Sequence, residues 1–263
     1  MNEPIFQVDA FTNKPFRGNP AGVVLLDKEH SDEWMLSVAR EMNLSETAFV
    51  VGEKPPYNLR WFTPAIEVEL CGHATLATAH ILYERDIVKR SELIEFTTRS
   101  GVLTISYIDG WIKMDFPSYT ADEVVLGGAV DRALKCEPVE IYSSGENIMA
   151  VFNDPENIYS LSPDFNLIKQ LDAQGVIATS LSDLAEFDFI SRYFAPRVGV
   201  NEDPVTGSAH CSLGPYWGGI LNKNVLHAKQ VSDRGGELQI RIENGRTFIR
   251  GQAVTIFSGK IQI

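Results

Sequence analysis

The sequence predicts an α/β (α+β) protein made of two similar halves, and three observations carry that reading. Short blocks of residues recur in one order along the chain. Each copy alternates β-rich stretches with an apolar helix. The copies are spaced by nearly half the chain length, which fits one duplication and not a solenoid.

The first recurring block is Arg60-Trp61-Phe62-Thr63-Pro64, which returns as Arg192-Tyr193-Phe194-Ala195-Pro196. Soon after each block's last proline comes Gly-x-Ala, as Gly72-His73-Ala74 and as Gly207-Ser208-Ala209. Arg99-Ser100-Gly101-Val102-Leu103-Thr104-Ile105 then matches Arg234-Gly235-Gly236-Glu237-Leu238-Gln239-Ile240, and Asp109-Gly110 matches Asn244-Gly245. Asp-Gly and Asn-Gly between alternating strands signal hairpins, because both residues tolerate positive φ.

In each copy a β-rich stretch (58–62 and 187–194) leads through a Pro-containing loop to a helix. The first helix is expected over 73–84. Ala74, Leu76, Ala77, Ala79, Ile81 and Leu82 make most of its surface apolar, so it should be buried all round, as if wrapped by a sheet. The second is expected over 208–217, short because Pro215 and Gly218-Gly219 limit it. An amphipathic helix is expected over 32–42, with a looser counterpart near 167–171. Pro, Ser and paired Gly between Pro117 and Gly128 interrupt the pattern. They divide an N-terminal half, 1–117, from a C-terminal half, 118–263, whose last strand could cross back to the first.

At 263 residues, with 44% hydrophobic and 22% charged residues, the chain can bury a substantial core. Its net charge of −12 supplies no Lys/Arg surplus for nucleic acid or for an anionic membrane surface. Cys71, Cys136 and Cys211 are odd in number and unrelated in spacing, which fits a reducing compartment. No stretch resembles a signal peptide, and none approaches the roughly 18 apolar residues of a membrane span. A cytoplasmic location is the simplest expectation.

Both duplicated helices begin with Gly and a polar residue, Gly72-His73 and Gly207-Ser208. A helix N-terminus offers unpaired N–H groups and partial positive charge, and Gly lets a ligand approach closely. Brought face to face, the two starts would form an anion-binding cleft. The plainer alternative is a tight loop at each Gly with Ser208 as an N-cap. Glu46 precedes an apolar strand, where a carboxylate could act as general acid/base or could simply mark the strand's surface end. It has no acidic counterpart near Gly175-Val176-Ile177. Asp203, before Pro204, could orient a ligand or close an Asx-turn. His73 and His80 share a helix face, but nothing in sequence completes a metal set, so no metal is expected. No Walker A or Rossmann pattern supports a nucleotide, and Ser208 lacks a G-x-S-x-G elbow. His30 and His227 read as solvated histidines.

Several motifs together resemble one family. These are Gln7-Val8-Asp9-Ala10-Phe11-Thr12, Gly18-Asn19-Pro20-Ala21, Asn43-Leu44-Ser45-Glu46-Thr47-Ala48-Phe49 and Phe62-Thr63-Pro64. Cys71-Gly72-His73-Ala74-Thr75-Leu76 and Glu202-Asp203-Pro204-Val205-Thr206-Gly207-Ser208-Ala209 complete the set. In this combination the chain resembles the phenazine-biosynthesis (PhzF-like) isomerases. The resemblance implies a diaminopimelate epimerase-like fold, each half a curved, mostly antiparallel sheet around a central helix. It also implies that Glu46 removes and returns a proton, that His73, Asp203 and Ser208 orient the substrate, and that amides at Gly72 and Gly207 cradle a carboxylate. The family's type reaction is isomerisation of trans-2,3-dihydro-3-hydroxyanthranilate, without metal or organic cofactor, in a homodimer acting on a small carboxylate. Two competitors stay open. An amino-acid racemase or epimerase of the related fold needs two thiols, and Thr206 stands where Cys71 would have its partner, Cys211 lying about one helical turn further on. A non-catalytic small-molecule binder on this scaffold is the other.

Overall fold

The structure, a computed structural model, describes residues 2–262. The chain divides into two compact units. One runs to Asp115 and takes in the chain again from Arg250, and the other is Phe116–Ile249.

The first stretch carries β1 (Asn2–Ala10), β2 (Asn19–Leu26), α1 (Asp32–Met42), β3 (Glu46–Val51), β4 (Tyr57–Phe62) and β5 (Glu67–Val68). It continues with α2 (Gly72–Glu84), β6 (Ile94–Thr98), β7 (Gly101–Ile108) and β8 (Trp111–Pro117). The second carries β9 (Asp122–Glu123), α3 (Ala129–Leu134), β10 (Glu140–Ser144), β11 (Asn147–Val151), α4 (Pro155–Ser160) and α5 (Phe165–Ile168). Then come β12 (Gly175–Leu181), β13 (Phe189–Ala195), β14 (Val200–Asp203), α6 (His210–Leu221), β15 (Val225–Gln230), β16 (Gly236–Glu243) and β17 (Arg246–Gly251). The last strand, β18 (Ala253–Gln262), pairs antiparallel with β1.

The duplication is visible in the strand pairings. In the first unit β2 runs parallel to β3, β3 antiparallel to β4, β4 parallel to β6, and β6 antiparallel to β7. In the second, β11–β12 is parallel, β12–β13 antiparallel, β13–β15 parallel and β15–β16 antiparallel. A parallel pair needs a crossover segment. α1 supplies it between β2 and β3, and α4 with α5 supplies it between β11 and β12, so the counterpart of α1 is two short helices. The hairpin signals hold as well. Asp109 and Gly110 (φ 51 and 85°) join β7 to β8, and Asn244 and Gly245 (φ 51 and 72°) stand between β16 and β17.

α2 is the central helix of its unit, and every residue from His73 to Ala79 is buried. Its threonines do not strand polar atoms there, because Thr75 Oγ1 donates to Cys71 O (2.7 Å) and Thr78 Oγ1 to Ala74 O (2.8 Å).

α6 departs from expectation. Pro215, Gly218 and Gly219 do not stop it, and it runs on to Leu221, where Asn222 closes it in the left-handed conformation. Pro215 lacks the N–H that would bond to Cys211 O, and that carbonyl instead accepts from Tyr119 N (2.9 Å). Gly218 acts as a packing residue, since a Cβ there would lie 2.9 Å from Lys223 O and 3.1 Å from Ile242 Cδ1. α6 also begins later than expected, at His210 and not at Gly207-Ser208, because a tight turn precedes it, His210 N donating to Gly207 O and Cys211 N to Ser208 O, each at 3.0 Å.

The arginines that recur in the two copies are scaffold. Arg60 grips Glu67 through two bonds (2.8 and 2.7 Å), and Arg192 grips Glu202 the same way (2.7 and 2.8 Å). Arg192 also donates to Ile158 O (3.1 Å) and Leu161 O (2.8 Å), tying α4 to β13. Arg192→Met should therefore lower stability by about 3 kcal/mol, because it leaves Glu202 and two carbonyls without their donor. Urea unfolding would show the loss, and an unchanged midpoint would contradict it.

His30 is not solvated. Its ring stacks on Trp34 (centroids 4.1 Å apart), and its Nε2 lies 3.2 Å from Glu3 Oε1. No helix among the described residues is long and apolar enough to cross a membrane.

Candidate active site

In the first unit, parallel pairing with Ala21 of β2 fixes Glu46 as the first residue of β3. His73 is the second residue of α2, and Cys71 is its N-cap. The fold brings these three together. His73 Nε2 lies 3.3 Å from Glu46 Oε2, and Cys71 Sγ lies 3.4 Å from His73 Nδ1. Burial pushes the His73 pKa down to about 3, so the ring is neutral near pH 7. A neutral imidazole can orient the Glu46 carboxylate without the full positive charge that would make it a poorer base. Gly72 opens the helix, and no side chain caps α2. Its first-turn amides are therefore not consumed by a capping oxygen.

The second unit has no matching carboxylate, for a steric reason. Gly175 begins β12 and pairs in parallel with Asn147, as Glu46 pairs with Ala21. A Cβ on Gly175 would lie 2.6 Å from the Tyr193 ring, whose hydroxyl donates to Asn147 Oδ1 (2.8 Å). Tyr193 fills the space an acidic side chain would need.

Asp203 ends β14, and Gly207 and Ser208 lie on the loop from there to α6, with Gly207 buried and Ser208 exposed. The Asp203 carboxylate accepts from Thr206 Oγ1, a side-chain bond and not the backbone bond that defines an Asx-turn. Two buried side chains that sequence reasoning missed hold this loop. Gln230, from β15, accepts from Thr206 N (2.9 Å) and donates to Asp203 O (2.7 Å). His210 Nδ1 bonds to Thr206 O (2.8 Å). Neither residue carries a local motif, and only the pairing of β13 with β15 explains why position 230 lies beneath the loop. Gln230→Leu keeps the side-chain size but orphans a buried amide and a carbonyl. A loss of about 2–4 kcal/mol follows, with weakened ligand affinity. Wild-type stability in urea would contradict this.

The thiol inventory is equally definite. The Thr206 hydroxyl is engaged by Asp203, and burial pushes the Cys211 thiol up to about 12. Cys71 is the one cysteine beside a candidate acid/base.

The architecture defines a class before it defines a family. Over 99% of both chains it matches a predicted epimerase of Pseudomonas aeruginosa (TM-score 0.76, 18% identity), a likeness of fold. The class is an epimerase-like α/β fold. The family model for phenazine biosynthesis-like proteins matches residues 8–259, and the chain belongs to that family. It is 49% identical, over 99% of both chains, to an uncharacterized isomerase of Halalkalibacterium halodurans. It superposes on the crystal structure of a PhzF family protein of Enterococcus faecalis with a TM-score of 0.96 and 41% identity, covering 100% of each chain. The chain is an isomerase of this family.

Proposed function

We propose that the protein moves a proton on a small carboxylate-bearing substrate without a cofactor, with Glu46 as the general acid/base. The observation that carries this reading is the contact of Glu46 with a buried, neutral His73. In this proposal the ionised Glu46 takes a proton from a substrate carbon. The electron pair left behind spreads into the conjugated system, and Glu46 returns the proton to another carbon. For the type reaction that is removal from C3 of trans-2,3-dihydro-3-hydroxyanthranilate, followed by tautomerisation.

The amides at Gly72 and Gly207 would hold the substrate carboxylate, and His73, Asp203 and Ser208 would orient its polar groups. Support comes from the start of α2, which has no side-chain cap, since such ends favour anions; the first amides of α6 already bond to turn carbonyls. The racemase alternative draws little support. It needs a second thiolate, and Thr206 and Cys211 offer none.

Proton NMR of the wild-type enzyme in deuterium oxide, with this substrate and a panel of small carboxylates, tests the reading. Isomerisation with exchange of a carbon-bound hydrogen is expected for at least one of them. Carboxylates that bind tightly yet never exchange would leave a binding protein as the better description.

A further inference from the structure

The cluster at the start of α2 combines an oxygen, a nitrogen and a sulfur donor, a composition that proton transfer alone does not call for. We infer that Glu46, Cys71 and His73 form a three-ligand site for a thiophilic divalent cation, Zn2+ foremost, whose binding occupies the carboxylate. One donor atom from each residue lies within 4.8 Å of the other two. Tetrahedral zinc, with bonds of about 2.0–2.3 Å, places its donors roughly 3.3–3.7 Å apart. Glu46 Oε2 and His73 Nε2 are at 3.3 Å, inside that range, and Cys71 Sγ is 4.0 Å from the same nitrogen. The thiol now lies nearer the other ring nitrogen, 3.4 Å from His73 Nδ1, so metal binding requires it to turn about its Cα–Cβ bond towards Nε2.

The mixed donors select for Zn2+ and its softer neighbours over Mg2+ or Ca2+, which take oxygen ligands. Three protein ligands leave a fourth position for water or a substrate carboxylate. The proton on the Cys71 thiol leaves to solvent as the metal–sulfur bond forms, so binding releases a proton. The sequence missed the site because it weighed His73 against His80, its neighbour on the helix face. The fold supplies the partners from β3 and from the N-cap. Binding stands on this geometry alone, whereas its consequence, inhibition, rests on the proposal that Glu46 is the base.

The test uses the full chain, reduced and metal-free, titrated with Co2+ and then Zn2+. One Co2+ per chain is expected, with a near-ultraviolet sulfur-to-cobalt charge-transfer band that Zn2+ erases. Cys71→Ser should remove the band although Cys136 and Cys211 remain, and Glu46→Gln should weaken binding at least tenfold. Circular dichroism would confirm that both variants are folded, and Glu46→Gln decides the matter if Cys71→Ser is not. No band in the wild type, a band that survives in Cys71→Ser, or unchanged affinity in Glu46→Gln would overturn the site. Zn2+ should also suppress proton exchange over the concentrations that erase the band. If metal-free enzyme shows no exchange at all, the proposed function fails while the metal site stands. If exchange persists in the zinc-loaded enzyme, inhibition at this site is wrong.

Discussion

Glu46→Gln is expected to slow proton exchange about a thousandfold while leaving substrate affinity within a few-fold of wild type. In the proposed reaction the change removes the group that takes the proton from carbon, and it preserves size and polarity. General acid/base groups contribute roughly 10²–10⁴ in rate, and a thousandfold loss corresponds to about 4 kcal/mol of barrier. The equivalent strand start in the second unit offers no substitute, because it is Gly175 beneath the Tyr193 ring. Deuterium incorporation measured by NMR, with affinity measured separately by calorimetry, checks both halves of the expectation. Matched losses of affinity and rate would mean that Glu46 mainly binds.

Acidification from pH 7 to pH 4 is expected to remove about 3 kcal/mol of stability through His210 alone. Burial lowers its folded pKa from 6.5 to about 4, so the unfolded chain binds the proton first. The stabilising contribution is complete above pH 6.5, falls as the pH drops towards 4 and then levels off. His73 acts in the same direction, down to about 3. Nδ1 of His210 bonds to Thr206 O, and Nε2 is buried without a partner among the described residues. A proton on Nε2 would thus have no acceptor. His210→Asn keeps a donor near the Nδ1 position and removes the titration. Urea midpoints from pH 7 to pH 4 should fall less steeply in that variant, and equal slopes would contradict the assignment.

What the sequence revealed depended on how local each feature was. The paired Arg60 and Arg192 blocks, the two hairpins and the apolar faces of α2 are written in contiguous residues, and they located the duplication without coordinates. α6 was misjudged because Pro215 and Gly218 carry helix-breaking signals that tertiary contacts override. Tyr119 takes up the carbonyl that Pro215 frees, and Ile242 packs where a side chain on Gly218 would sit. At the site, Glu46 and His73 were legible as motif members, but their contact was not, since it needs β3 and α2 docked. Gln230 and His210 had no signal at all. They matter through backbone atoms of Thr206, and no pattern of residue types marks a carbonyl that will need a partner.

In the proposed function one carboxylate, and not a thiol, handles the proton. The most direct measurement is deuterium incorporation by Cys71→Ser in metal-free buffer, set beside Glu46→Gln under the same conditions. Cys71→Ser should retain at least about a tenth of the wild-type rate, well above the roughly thousandfold loss expected for Glu46→Gln. Exchange abolished by Cys71→Ser and preserved by Glu46→Gln would contradict the account and move the chemistry to the thiol.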